Sequence, residues 1–200
     1  MTRTRGDRRR TALLEALDEQ LREAGPGARL EDLNVADLSR RAGVTRSAFY
    51  FYFDNKADAV AALMDEMYDE AWGAADLLGG DGSMRDRTAA AIRRVFEGWG
   101  QRPHVYRAML EARATSPAAR ERWDAHIASF VEVVAAVIDA ERVARQEPDG
   151  PPALAIATAL LDVNDRTLER LVRASDDFDR QAHVDAVVHL WLSTIYGSAR

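Results

Sequence analysis

Residues 34–56 read NVADLSRRAGVTRSAFYFYFDNK, and the way this stretch divides decides the fold. Asn34 is a good helix N-cap, and Asp37 stands three residues on, in the capping-box position. A helix is therefore predicted over residues 35–42, with Leu38 and Ala42 facing inward. Gly43 follows and suits a left-handed turn residue, with Val44 turned inward beside it. Thr45 can cap a second, short helix over residues 46–53. Phe49 and Phe53, four apart, share its inward side, and Arg46, Ser47 and Tyr50 then point outward together. Helix, tight glycine turn and short helix is the layout of a helix-turn-helix. An outward Arg, Ser and Tyr can hydrogen-bond base edges and phosphates in a major groove. The aromatic run 48–53 also has strand propensity. It is read as helix because capped helical patterns flank it and a lone strand has no partner.

Outward from this motif the pattern stays helical. Residues 8–24 carry Leu13, Leu14, Leu17 and Leu21 on one face, and Gly25-Pro26-Gly27 ends the helix. Asn55 and Asp58 repeat the capping arrangement and open a helix over residues 56–78, roughly 35 Å long at 1.5 Å per residue. After a glycine-rich break at 79–82, Ser83 and Asp86 restart a helix that runs to residue 101. Further helices are expected at 103–115, at 117–146 behind the Ser116-Pro117 start, at 153–174 and at 179–196. The expected fold is all-α, about nine helices. Residues 1–55 form an N-terminal helix-turn-helix domain, and residues 56–200 form a larger C-terminal domain.

Composition narrows the function. The chain has 200 residues and no cysteine, so disulfides and thiolate metal sites are excluded. The net charge is −6, but the first 56 residues hold eleven Lys or Arg against nine Asp or Glu, and the other 144 hold sixteen against twenty-four. Arg3, Arg5, Arg8, Arg9 and Arg10 against Asp7 alone read as a phosphate-seeking arm. No apolar run reaches the roughly 18 residues of a membrane span, and the basic start has no apolar core of a signal peptide behind it, so a cytoplasmic protein is expected. His104, His126, His183 and His189 are scattered, no thiol nucleophile exists, and no glycine-rich phosphate loop is present. The expectation is a protein that is not an enzyme and needs no cofactor or metal.

The C-terminal region can house a pocket. Trp99, Tyr106, Met109, Trp123, Phe130 and Trp191 supply aromatic and soft surface on several helices, which is also what an ordinary core needs. Asn164 sits mid-helix beside apolar neighbours, where a buried amide requires partners, either a ligand or a neighbouring helix. The last helix is apolar nearly all round from 186 to 192. A helix without a polar face is buried on both sides, here as a dimer interface shared with the helix at 153–174.

The motif from Val35-Ala36-Asp37-Leu38 through Gly43-Val44-Thr45 to Phe49-Tyr50-Phe51-Tyr52-Phe53 and Lys56 resembles the TetR family of one-component regulators. Lys56 is the chain's single lysine. Glu111–Ser116, residues 135–142, Asn164–Leu168 and His189–Gly197 resemble one branch of that family, the ethionamide-resistance regulators. The resemblance implies that Arg46 and Ser47 approach bases, that Tyr50 and Tyr52 contact bases or backbone, that Thr45 and Lys56 hold phosphates, and that Arg3 and Arg5 in the arm add contacts. It implies that Asn164 anchors an elongated ligand tunnel lined by Ile92, Val95, Trp99, Trp123, Ile127, Phe130, Val134, Leu161, Leu168 and Trp191. Thr88, Val95, Val133 and Glu169 depart from the branch's aromatics, so effector identity does not carry over. The expected partners are double-stranded operator DNA, a small apolar effector and a second copy of the chain through the last two helices, with no membrane. The expected function is a repressor released by its effector. A helical small-molecule-binding protein without DNA function, or an activator, are the alternatives.

Overall fold

The computed structural model describes residues 5–27, 29–75, 81–146, 150–174 and 178–196. Among the described residues there are nine α-helices, one 3-10 turn and no strand. The helices are α1 (Arg5–Ala24), α2 (Val35–Arg41), α3 (Arg46–Tyr52), α4 (Lys56–Ala75), α5 (Met84–Gln101), α6 (Pro103–Thr115), α7 (Pro117–Arg145), α8 (Ala153–Arg173) and α9 (Arg180–Tyr196). The all-helical expectation holds, and the predicted ends lie within a few residues of these. The exceptions are α1, which starts three residues earlier, and the end of α4, whose predicted residues 76–78 lie outside the described ones. The 3-10 turn, Leu30–Asp32, was not expected.

The chain forms two compact units. The first comprises Met1–Met67 with Arg102–Trp123, the second Tyr68–Gln101 with Asp124–Arg200, so the boundaries fall inside α4 and α7. This division by packing differs from the division by role at residue 55, which is retained as a proposal about role. In the first unit α2 packs on α1 and α3, and α6 packs on α1. Leu13, Leu14, Leu17, Leu21, Leu38, Phe49 and Val60 are essentially sealed from solvent. In the second unit α5, α8 and α9 pack on one another. A further cluster there joins Val131, Ala135 and Ile138 of α7 to Ala153 and Ala157 of α8.

The helix-turn-helix folds for reasons that can be weighed. Asn34 accepts from the backbone N–H groups of Ala36 (3.0 Å) and Asp37 (3.2 Å). At the other end of α2, Gly43 takes φ +65°, while its N–H donates to the Arg40 carbonyl and the Val44 N–H to the Ser39 carbonyl. That pair of bonds is a Schellman stop, and it needs a residue that tolerates the left-handed region. Thr45 caps α3 through the Ala48 N–H at 3.3 Å. The strand propensity of the aromatic run is worth about 1 kcal/mol across its whole scale. The Thr45 cap alone offsets about that much. Burial of Phe49 and Phe53, 1% and 2% exposed, adds roughly 1.5–3 kcal/mol each. Helix wins.

One detail of the capping expectation is corrected. Asp37 does not close the box by accepting from the Asn34 N–H. That N–H donates to Gln20 Oε1 of α1 at 3.0 Å, and Asp37 instead accepts from Gln20, Arg40 and Arg41. Arg41 also grips Glu23 of α1, with N–H to oxygen distances of 3.0 and 2.8 Å. A residue 14 positions upstream reached the cap first, which spacing within α2 cannot reveal.

Candidate nucleic-acid interface and ligand site

Helix α3 presents one exposed side. Thr45, Arg46 and Ser47 are exposed, and Tyr50 and Phe51 are 48% and 81% exposed. Behind them the Phe49 and Phe53 rings lie 5.4 Å apart and hold the helix to the unit's core. The Arg46 guanidinium lies 5.8 Å from the centroid of the Tyr50 ring, and Thr45 Oγ1 lies 3.0 Å from Ser47 Oγ. Arg46, Ser47 and Tyr50 thus share a face, as their spacing predicts. Tyr52 is half-buried between Phe51 and Phe53, with ring centroids at 5.1 and 6.4 Å, so only part of it is free to meet DNA. Phe51 was not among the expected contact residues, and its exposure was legible from its place four residues after Ser47.

Lys56 opens α4 and is half-buried. Its Nζ donates to the Glu31 carbonyl at 2.7 Å, and its other two N–H donors have no partner among the described residues. Most of the basic residues expected in an arm belong to α1. Arg5 begins α1, Arg8 and Arg9 stand exposed on that helix, and Arg10 is half-buried over the Phe53 ring at 5.8 Å. Arg3 lies outside the described residues.

The charged groups behind this face are tied to one another. Hydrogen bonds from Arg41 and then Arg40 hold the Asp37 carboxyl below its usual value, and the Arg41 contact does the same for Glu23. At the α1–α6 seam, Asp18 lies 2.6 Å from His104 Nε2 and 3.3 Å from the Arg102 guanidinium.

In the second unit an aromatic stack stands beside the expected lining. Tyr68 stacks on His126 at 4.3 Å and meets Trp99 edge-on at 5.5 Å, while Trp72 stacks on Phe130 at 4.3 Å. Trp99 and Phe130 were expected there. Tyr68, Trp72 and His126 were missed, because α4 and α7 meet only in the tertiary structure. Ile92 and Trp99 on α5 are buried and Val95 half-buried. Ile127, Val134 and Leu161 are half-buried against the α7–α8 core cluster, and Leu168 is buried. Trp123 belongs to the first unit, where it meets Tyr106 edge-on at 5.7 Å beneath the Arg113 guanidinium at 4.3 Å.

Asn164 is buried, and its Oδ1 accepts from the Trp191 indole N–H at 2.9 Å. Of the two readings of this amide, the neighbouring helix is the partner seen here. Its oxygen staples α8 to α9, and its Nδ2 has no hydrogen-bond partner among the described residues. Thr88, one of the departures, is buried with its hydroxyl 3.0 Å from Tyr196 Oη, and burial pushes that phenol above its usual value. Among the described residues no helix is long and apolar enough to cross a membrane.

Known proteins share this organisation along the whole chain. The family model described as "Bacterial regulatory proteins, tetR family" matches residues 13–63, and "Transcriptional regulator EthR, C-terminal domain" matches residues 88–197. The HTH-type transcriptional regulator EthR of Mycobacterium tuberculosis is 37% identical over 202 aligned positions, covering 99% of this chain and 92% of that protein. EthR of Mycolicibacterium smegmatis is 33% identical, covering 98% and 90%. Among solved structures, the regulator FadR of Bacillus subtilis in complex with stearoyl-CoA has the same fold, with a TM-score of 0.74 at 17% identity over 94% of this chain and 99% of that one. These relatives are transcriptional regulators, a role without catalysis. The chain belongs to the TetR family of bacterial regulators, in the branch defined by the EthR C-terminal domain.

Proposed function

We propose that this regulator is a cytoplasmic repressor that binds a palindromic operator as a homodimer and is released by a small, largely apolar effector. The observation that carries the DNA half is the exposed set Arg46, Ser47, Tyr50 and Phe51 on a helix anchored from behind by two buried phenylalanines. Thr45 and Lys56 are its phosphate contacts, Tyr52 contacts bases or backbone, and Arg3, Arg5 and the basic residues that follow them add further contacts. The effector half rests on the Asn164 amide, with N–H groups to spare, in a unit walled by Trp99, Phe130, Trp191 and aliphatic side chains. Stearoyl-CoA in the FadR fold neighbour has a long apolar acyl chain on a charged coenzyme A group, and its acyl part is of the kind proposed here.

The mechanism is a shift of population. Effector must bind the conformation that cannot span two half-sites more tightly than the one that can; otherwise it changes nothing. To move the equilibrium from 1:99 to 99:1 the preference must reach roughly 10⁴-fold.

The test is a mobility-shift titration of the protein on its own upstream DNA at several salt concentrations, against scrambled competitor. Specific retardation that weakens with salt is expected. The Tyr50→Ala, Lys56→Ala double variant should lose most of it while keeping the wild-type helical circular dichroism. Unchanged affinity in that variant would remove α3 and Lys56 from the interface.

A further inference from the structure

Helix α6 meets the Leu30–Asp32 turn through a carboxylate. Glu111, half-buried on α6, accepts the backbone N–H of Leu30 at 2.8 Å. That N–H opens the 3-10 turn Leu30–Asp32, so the turn itself offers it no acceptor. The next residue, Glu31, turns its carbonyl to Lys56 Nζ at 2.7 Å. Two bonds on one short turn, at the Leu30 N–H and the Glu31 carbonyl, thus join Glu111 to Lys56.

We propose that Glu111 is a positioning residue for DNA binding. By fixing the Leu30–Asp32 turn it sets the Glu31 carbonyl that holds the Lys56 ammonium in place for a phosphate. This rests on the reading of Lys56 as a phosphate contact. A free lysine side chain gives up about 2 kcal/mol of rotamer freedom when fixed. A lysine already held by a carbonyl has met part of that cost before DNA arrives, and preorganisation of this kind appears as affinity. Within itself the turn is held by the Asp32 N–H on the Arg29 carbonyl (3.0 Å), the Leu33 N–H on the Leu30 carbonyl (3.3 Å) and the Arg29 N–H on the Asp32 carboxylate (3.2 Å). The Glu111 bond is the directed contact that ties this turn to α6. Glutamine at 111 keeps an acceptor oxygen at the same reach, whereas alanine removes it.

The experiment measures specific operator affinity of the full chain as a function of salt for wild type, Glu111→Ala, Glu111→Gln, Lys56→Ala and Glu111→Ala with Lys56→Ala. Glu111→Ala is expected to weaken binding roughly tenfold, since a Lys56 side chain released from the turn must give up its rotamer freedom when DNA binds. It should also lower the slope of log affinity against log salt by about one, the signature of one lost phosphate contact. Lys56→Ala should show the same slope change, the double variant should bind no worse than Lys56→Ala, and Glu111→Gln should stay near wild type. A Glu111→Ala protein with undiminished slope, with a loss that adds to that of Lys56→Ala, or with raised affinity overturns the proposal. If Lys56→Ala weakens binding and Glu111→Ala does not, the relay alone fails. If Lys56→Ala changes neither affinity nor slope, the phosphate role of Lys56 fails and takes the relay with it. Should Glu111→Ala not fold, Glu111→Asp, which keeps the charge and shortens the reach, is expected to show the same slope loss; an Asp variant identical to wild type overturns the proposal.

Discussion

Phe51 is exposed against its chemistry. At 81% exposure its ring lies in water on the same helix as Arg46, Ser47 and Tyr50. Leaving such a side chain in solvent forgoes roughly 1.5–3 kcal/mol of burial, which DNA can return. The apolar feature of a major groove is the thymine methyl group. Phe51→Ala is therefore expected to weaken operator binding by about 1–3 kcal/mol with no change in salt slope, since no charge is removed. Replacing operator thymines by uracil should weaken the wild type at one position and leave Phe51→Ala indifferent there. Anisotropy titrations on a set of single-uracil duplexes decide it, and a Phe51→Ala protein that senses every methyl as wild type does would exclude the contact. Asn164 poses the same kind of question inside the protein. In Asn164→Leu the Trp191 N–H loses its acceptor in a buried place, at a cost of about 1–3 kcal/mol. Trp191→Phe removes the donor instead, and the pair Asn164→Leu with Trp191→Phe should be less destabilised than the two single costs added together. Urea unfolding of the four proteins measures the coupling, and strict additivity would mean that the bond contributes nothing to joining α8 and α9.

At the scale of elements, local chemistry was legible and long-range chemistry was not. Asn34, Gly43 and Thr45 mark their helix ends because caps and left-handed turns depend on a few adjacent residues. The spacing of Phe49 and Phe53 marks the buried side of α3 for the same reason. The partner that completes the Asn34 cap is Gln20, on another helix, and the turn that receives Lys56 is held by Glu111, 81 positions from Leu30. The stack of Tyr68, Trp72, His126 and Phe130 joins α4 to α7, and neither helix announces the other. Trp123 was grouped with the ligand residues by resemblance, yet packing places it among Tyr106 and Arg113. The seam between α1 and α2 carries a consequence with pH. Arg41 binds Asp37 at 2.7 Å and Glu23 at 2.8 Å and lowers both carboxyl pKa values. A depressed folded-state pKa stabilises above the unfolded value and is lost as pH falls through the folded one. The contribution is thus full above the ordinary values of 4.5 for Glu23 and 3.8 for Asp37 and is lost as pH falls from there through the lowered folded-state values. Arg41→Met should narrow the difference in stability between pH 6 and pH 3, as read by urea midpoints at both. An Arg41→Met protein with the wild-type difference would show that the network is too well solvated to matter.

At the scale of the molecule, an operator with two half-sites needs two copies of α3, and one chain supplies one. The second unit carries surface that a lone chain has no reason to keep apolar. Leu154 on α8 is 57% exposed and Leu190 on α9 is 42% exposed, with Ala155, Ala159 and Ala186 exposed on the same two helices. In the stretch 186–192 of α9, Val187, Val188 and Trp191 turn into the unit, and Ala186, His189 and Leu190 turn out. Small residues beside two leucines allow helices of two copies to approach closely, and a stable interface of this kind covers upward of about 1,000 Å². Leu190→Glu places a charge on that surface without touching the buried side, so each chain keeps its fold. In a dimer through α8 and α9 the two-fold axis would bring the two carboxylates close together in a desolvated place, which costs several kcal/mol. Sedimentation velocity should then show a dimer for the wild type, as proposed, and a monomer for the variant. Affinity for the full operator should fall toward that for a half-site, since the second reading helix no longer follows the first at high local concentration. A Leu190→Glu protein that remains dimeric and binds the full operator as before would place the two-fold axis on another face. One that is monomeric yet binds undiminished would mean that a single α3 reads the whole site.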